Sequence, residues 1–192
     1  MARVPAPVTR YIAFLRAINV GGRTVKMDEL RRLFEELGLA NVATVIASGN
    51  VVFEASATDP SELEQRIVDH LERWLGYRVD TFVRTASELA EIAAYRPFPA
   101  AELEADGATL FITFLAAPLD AARQQAIVAL GTGTDSFHVH GRELYWLRRG
   151  RLSDSTISGA TLEKVGKTVA TARNANTIHR IVAKYPPLER AS

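Results

Sequence analysis

Residues 11–23, YIAFLRAINVGGR, and residues 42–53, VATVIASGNVVF, decide the fold of this chain. The first segment is a nearly continuous apolar run that ends at Gly21 and Gly22, which is typical of a central strand covered on both faces. The second segment contains two β-rich runs around Ser48-Gly49-Asn50, which is typical of a hairpin. A strand followed by a hairpin predicts a sheet that is at least partly antiparallel.

Two helical patterns complete the first half. One begins near Met27 and ends at Gly38, and the other begins at the cap formed by Asp59 and Pro60. A further strand is predicted over residues 78–84, so the order is β-α-β-β-α-β, the ferredoxin-like arrangement. The apolar stripes expected to face the sheet are Leu30, Leu33, Phe34 and Leu37 in the first helix, and Leu63, Ile67, Leu71, Trp74 and Leu75 in the second.

The second half of the chain repeats this order of elements with different residues. A new apolar strand begins at Thr109, and a helix, a hairpin around Gly141, a short helix, a strand and a final helix from Ala175 follow it. The sequence therefore predicts an α+β protein made of two ferredoxin-like lobes with antiparallel sheets. The predicted bounds are residues 9–95 for the first lobe, 96–107 for a proline-bearing linker and 108–185 for the second lobe.

Charge is spread unevenly along the chain. Residues 85–141 carry two basic and seven acidic side chains, whereas residues 142–184 carry nine basic and three acidic ones. The basic segment would attract an anionic partner such as a nucleic acid or a phosphorylated small molecule. Alternatively, it neutralises the acidic middle of the chain within one fold.

Composition excludes several kinds of function. The chain contains no Cys, so disulfides, thiolate catalysis and cysteine-bound zinc are ruled out. The first ten residues lack the apolar core of a signal peptide, and no apolar run is long enough for a membrane helix. We expect a cytoplasmic protein with no membrane association and no cofactor. His138 and His140 share a strand face, but no third ligand accompanies them, so no metal site is predicted.

The loop after the first strand is the first candidate binding site. Arg16 and Asn19 precede the Gly21-Gly22 pair, and a glycine turn before a helix can direct backbone N–H groups at an anion. Ser48 and Asn50 in the hairpin are candidates of the same kind. For both clusters the alternative is a purely structural turn, in which Asn and Ser bond local backbone groups.

The start of the last helix is the second candidate site. Arg173, Asn174, Asn176 and Thr177 surround it, and this set would suit an anion or the edge of a base. The alternative is helix capping together with a salt bridge of Arg173. If both candidate sites serve one ligand, Arg16 and Arg173 should meet in a groove between the lobes.

Three motifs give the chain a family resemblance. The stretches LRAINVGGRTVKM (residues 15–27), SGNVVF (48–53) and TARNANT (171–177) resemble the bacterial family called domain of unknown function 1697. Ala17 replaces a glycine of the family pattern, and Ala175 replaces its tryptophan. The resemblance implies a duplicated ferredoxin-like fold and no established activity.

The function favoured by the sequence is binding of an anionic ligand, namely a nucleotide, an RNA segment or a phosphorylated metabolite, in a cleft between the lobes. The alternatives are a small-molecule enzyme of unknown reaction type and a protein-interaction module. Nothing in the sequence indicates an oligomeric state.

Overall fold

The computed structural model describes residues 7–22, 24–45, 49–150 and 155–188. These ranges contain eight strands and seven helices. The elements are β1 (Val8–Leu15), α1 (Met27–Glu35), β2 (Ala40–Val45), β3 (Asn50–Ser56), α2 (Pro60–Leu75), β4 (Thr81–Thr85), α3 (Ala86–Ala94), α4 (Ala100–Leu103), β5 (Thr109–Leu115), α5 (Ala121–Val128), β6 (Asp135–His140), β7 (Glu143–Arg148), α6 (Gly159–Gly166), β8 (Ala170–Asn174) and α7 (Ala175–Lys184).

The strands form two four-stranded antiparallel sheets of the same topology. The strand order is β2-β3-β1-β4 in the first sheet and β6-β7-β5-β8 in the second. Each sheet is therefore built from a β-α-β-β-α-β unit whose first strand lies between its third and fourth strands. The predicted duplicated ferredoxin-like α+β fold is confirmed.

Helices α1 and α2 cover one face of the first sheet. Their apolar residues pack against alternate residues of the central strand, which include Tyr11, Ala13 and Leu15. The intervening residues Ile12 and Phe14 are also buried, as expected for a strand covered on both faces. The helix residues in this core are Leu30, Leu33, Phe34, Leu63, Ile67 and Leu71.

Helices α5 and α6 cover the second sheet in the same way. Leu115 of β5 and Trp146 of β7 belong to a core with Ile127 of α5 and Leu162 of α6. Burial of side chains of this size contributes about 1.5–3 kcal/mol each, so each sheet has an apolar core of its own.

The chain divides into two compact units. The first contains Met1–Glu91 and Ile181–Ser192, and the second contains Ile92–Arg180. The divisions thus fall inside α3 and α7. The second unit contains residues 108–180 of the predicted second lobe and also the whole predicted linker. The predicted linker, residues 96–107, contains the short helix α4 and remains a prediction as a lobe boundary. No helix within the described ranges combines the length and apolar character needed to cross a bilayer.

Two local expectations were wrong. The first strand was expected to continue to Val20, but β1 ends at Leu15, because Ala17 has a φ of 51° that an extended strand cannot contain. Trp74 was expected in the buried stripe of α2, but 54% of its surface is exposed. The guanidinium of Arg32 lies 5.0 Å from its ring centre, which stabilises an indole at the surface.

Gly49 occupies a position that a larger residue does not fit. Its φ is +78°, and a Cβ built there would lie 2.9 Å from Ile18 Cγ2 and 3.1 Å from Leu15 Cβ. Gly76, the C-cap of α2, has a similar φ of +74° but no atom within 4 Å of such a Cβ. The two glycines share backbone strain and differ in steric contact.

We therefore expect Gly49→Ala to destabilise the protein more than Gly76→Ala. The change at Gly76 should cost about 1–2 kcal/mol for the left-handed backbone. The change at Gly49 should cost a further 1–3 kcal/mol or so for overpacking. Urea unfolding of both variants measures the difference, and equal losses would contradict it.

Asp135 is a buried carboxylate that joins four donors in the second unit. It accepts hydrogen bonds from Trp146 Nε1 at 2.7 Å and from Ser155 Oγ at 3.0 Å. The hydroxyls of Thr134 and Thr132 donate to it at 2.9 Å and 3.1 Å. Burial raises the pKa of Asp135, but these four hydrogen bonds outweigh burial and lower the pKa below its ordinary value.

The effect of Asp135 on stability should depend on pH. Because its pKa is lower in the folded state than in the unfolded chain, its contribution is present above about pH 4 and is lost as the pH falls through the folded-state pKa. Asp135→Asn should lower the free energy of unfolding by about 1.5–3 kcal/mol at pH 7. Its difference from the wild-type value should become smaller below about pH 4.

Urea unfolding followed by circular dichroism at pH 7 and at about pH 3 tests this. Asp106→Asn, a change at an exposed aspartate, is the matched control and should shift stability by less than about 0.5 kcal/mol. A gap that is constant across this pH range would show that the charge of Asp135 does not matter.

Candidate functional site

The first predicted cluster lies in the loop between β1 and α1, which is held by hydrogen bonds and an ion pair. The N–H of Arg16 donates to the Asp80 carbonyl at 2.8 Å, and its guanidinium lies 3.8 Å from the Asp80 carboxylate. Asn19 Oδ1 accepts the N–H of Val25 at 2.8 Å. Gly21 and Gly22 are exposed and adopt φ values of +71° and +81°. Local backbone bonding, the structural alternative, accounts for the bond of Asn19.

In contrast to the exposed Gly21 and Gly22, the hairpin candidate Asn50 is buried. Asn50 is 1% exposed, and its amide donates to the Val45 carbonyl at 2.9 Å across the hairpin. Ser48 lies outside the described residues. A ligand-binding role for this hairpin stays a prediction.

In the second unit, Arg173 lies at the end of β8 and is 9% exposed. Its Nη1 donates to Thr171 Oγ1 at 2.8 Å and to the Ala172 carbonyl at 2.9 Å. Burial lowers the pKa of Arg173 to about 10, so the guanidinium remains charged at neutral pH. Arg173 thus fixes a positive charge directly before α7.

The next residues form the start of α7. Asn174 Oδ1 accepts the N–H of Asn176 at 2.8 Å, which is the capping bond that the sequence predicts. Both asparagines line a cavity of about 480 Å³ in the second unit, whereas Arg173 and Thr177 are not among its lining residues. Two of the predicted residues therefore face one cavity.

The rest of the cavity wall comes from the last turn of α3, from the connection that contains α4 and from the beginning of β5. The polar residues that line it are Arg96, Glu104, Thr109, Asn174, Asn176 and His179. The larger apolar residues that line it are Ile92, Tyr95, Phe98, Leu103, Leu110 and Ile112. A mostly apolar wall with a few polar groups is the usual composition of a small-molecule pocket.

Arg96 and His179 converge on one carbonyl at the end of α3. Arg96 Nη1 donates to the Ala93 carbonyl at 2.9 Å, and His179 Nε2 lies 3.2 Å from the same oxygen. Because a carbonyl oxygen only accepts, Nε2 of His179 carries the proton. Nε2 of His179 is therefore directed at the end of α3 and is not the ring nitrogen that could accept a hydrogen bond.

Tyr95 connects the pocket wall to the edge strand β6. Its hydroxyl lies 2.8 Å from His138 Nε2, and its ring stacks on His140 with 4.4 Å between ring centres. Burial lowers the pKa of His138, and the neighbouring charge of His140 lowers it further. The two histidines considered at the sequence level thus hold a wall residue in place.

Several residues of this pocket were missed from the sequence. Arg96, Phe98 and Glu104 lie in the stretch interpreted as a linker, and His179 was not assigned to any site. One feature of the sequence could have indicated the pocket, namely the aromatic residues Tyr95 and Phe98 in a proline-bearing connection. Segments that only separate two domains are usually poor in aromatic residues.

The basic segment is partly neutralised inside the second unit. Arg149 forms an ion pair with Glu102, which belongs to the acidic middle of the chain. Arg148 is 8% exposed, and its guanidinium lies 5.0 Å from the ring centre of Phe111. Internal compensation, the alternative considered from the sequence, therefore accounts for part of the segment.

The aromatic residues of the described strands are buried, apart from Phe111, which is partly buried. Phe53 and Tyr145 are at most 1% exposed, and Phe137 and Trp146 are 5% and 7% exposed. Modules that bind RNA on a sheet need such rings on an open face. These rings are core residues instead.

The family of the chain follows from comparison with known proteins. A comparison with curated proteins gives no significant match. A solved structure of a conserved bacterial protein from Streptococcus pneumoniae is similar in fold, with a TM-score of 0.66 and 23% sequence identity over 92% of this chain and 98% of that chain. Residues 8–145 match the family described as "Protein of unknown function (DUF1697)". This match spans more than half of the chain, which therefore belongs to the DUF1697 family.

Proposed function

We propose that this protein binds a small anionic molecule with an apolar body in the pocket of its second unit. The observation that carries the proposal is the pocket itself, a cavity of about 480 Å³ with apolar walls and a few polar groups. Pockets for drug-sized ligands measure about 300–1,000 Å³ and have this kind of lining.

The polar groups favour a ligand with a negative group. Arg96 contributes a cation, and the start of α7 adds the partial positive charge of its first N–H groups. Within the described residues, Arg96 forms its hydrogen bonds through Nη1, to the carbonyls of Ala93 and Tyr95, so its other N–H donors are available to a ligand. Glu104 is the acidic residue of the lining and limits the negative charge that the pocket accepts.

A small molecule is better supported than a nucleic acid. The burial of most sheet aromatics leaves little surface on which bases would stack, and the ion pair of Arg149 with Glu102 reduces the basic field. A nucleotide or a phosphorylated metabolite remains within the proposed class. A common groove of Arg16 with Arg173, a cytoplasmic location, an enzymatic activity and a role in protein interaction stay hypotheses.

The pocket can be tested by filling it. Ala100 and its neighbour Ala101 are both exposed on the same short helix, but only Ala100 lines the cavity. A thermal-shift screen of nucleotides and of phosphorylated and carboxylated aromatic compounds should yield ligands that stabilise the protein. Ala100→Phe should weaken their binding at least about tenfold, or about 1.4 kcal/mol, because the new ring occupies the cavity.

Ala101→Phe is the matched control and should change the dissociation constant less than about twofold, within the small effect expected of a surface substitution. Isothermal titration calorimetry measures both variants. The proposal is wrong if no compound of the screen binds, or if both variants weaken binding equally.

A further inference from the structure

The two units contain the same turn from their last strand into the following helix. Arg84 pairs with Ile12 in the first sheet, and Arg173 pairs with Ile112 in the second. Arg84 Nη1 donates to the preceding carbonyl of Val83 at 2.8 Å, as Arg173 Nη1 does to its own preceding carbonyl at 2.9 Å. The two turns can therefore be compared residue by residue.

In this comparison Thr85 corresponds to Asn174, and Glu88 corresponds to Thr177. Thr85 and Asn174 each precede the first residue of a helix, Ala86 in α3 and Ala175 in α7. Glu88 and Thr177 are the third residues of those helices. The match extends from the strand pairing to the first helical turn.

In the first unit a carboxylate of the chain itself occupies the helix start. Glu88 Oε2 accepts the N–H of Thr85 at 2.7 Å and its hydroxyl at 3.0 Å. The N–H of Glu88 in turn donates to Thr85 Oγ1 at 3.1 Å, which completes a capping box. This turn thus binds one carboxylate group, which the chain itself supplies.

In the second unit the corresponding residue has no carboxylate. Thr177 stands where Glu88 stands in the first unit, and the adjoining Asn174, Ala175 and Asn176 line the pocket. A helix start alone would attract any anion weakly. What distinguishes this one is the cavity against it and an internal copy of the same turn that holds a carboxylate.

We infer that the ligand carries a carboxylate, which takes in the second unit the place that Glu88 takes in the first. This inference rests on the proposed function and names the chemical class of the ligand. The N–H of Asn174 corresponds to the N–H of Thr85 and donates to the carboxylate, while the apolar body of the ligand contacts Tyr95, Phe98 and Ile112. A phosphate dianion is disfavoured, because Glu104 lines the same cavity and repels a second negative charge.

Matched sets of probes test the class of the ligand. Phenyl, naphthyl, indolyl and octyl bodies are each tested as the carboxylate, the phosphate ester and the carboxamide, by titration with ¹H–¹⁵N NMR detection. We expect each carboxylate to bind at least about tenfold more tightly than the phosphate ester and the carboxamide with the same body. We also expect the backbone amide signal of Asn174 to shift on binding. This shift locates the carboxylate of the probe without any substitution in the protein.

A substitution that copies the first unit gives the second test. Thr177→Glu should supply the missing carboxylate from the chain and reduce binding of the carboxylate probes at least about tenfold. Thr161 is the third residue of α6, where Ser158 caps the helix and accepts the N–H of Thr161 at 3.2 Å. Thr161→Glu therefore adds the same group at the same helical position away from the pocket, and should leave binding within about twofold of wild type.

The outcomes separate this inference from the proposed function. Binding of phosphates in preference to carboxylates, with Ala100→Phe still weakening it, would rule out the carboxylate and leave the pocket proposal standing. Equal effects of Thr177→Glu and Thr161→Glu, or an unmoved Asn174 signal in the wild type, would also overturn it. If no probe binds, or if Ala100→Phe and Ala101→Phe weaken binding equally, the proposed function itself fails.

Discussion

The pairing of each central strand with the last strand of its sheet is the constraint on which the rest of the structure depends. In the second unit this ladder places Asn174 opposite Phe111 and Arg173 opposite Ile112. A shift of the register by one residue would turn every side chain of β8 to the other face of the sheet. The start of α7, and with it one wall of the pocket, is therefore located by the hydrogen bonds of a sheet and not by loop conformation.

A buried arginine is the second-to-last residue of the last strand in both units. Arg84 is 2% exposed and Arg173 is 9% exposed, and each donates to the carbonyl of its preceding residue. A buried guanidinium is costly unless its donors are satisfied. The bond to the preceding carbonyl gives Nη1 of each arginine a partner that does not depend on the side chains of the strand.

Much of the fold could be predicted because its elements carry strong local signals. The stripe that includes Leu30 and Leu33, the capping residues Asp59 and Asn174, and the apolar β5 gave correct elements in the correct order. Trp74 was misplaced since helical spacing alone does not reveal whether a cation, here that of Arg32, holds an indole at the surface.

The pocket was only half predictable, and the reason is physical. Asn174 and Asn176 were identified because capping chemistry is local and depends on residues a few positions apart. Arg96, Glu104 and His179 were not, because they are brought together by the packing of a non-periodic connection against two helices. A cavity is a property of what three-dimensional packing leaves unfilled, and periodicity in one dimension does not encode it.

The environments of the two tryptophans have a practical consequence. Trp74, in the first unit, is 54% exposed, whereas Trp146, in the second, is 7% exposed and bonded to Asp135. Each unit thus contains one tryptophan, which can be excited selectively, and the two differ in access to a soluble quencher such as acrylamide. Quenching at several emission wavelengths can therefore separate the melting of one half of the chain from that of the other, with no label introduced.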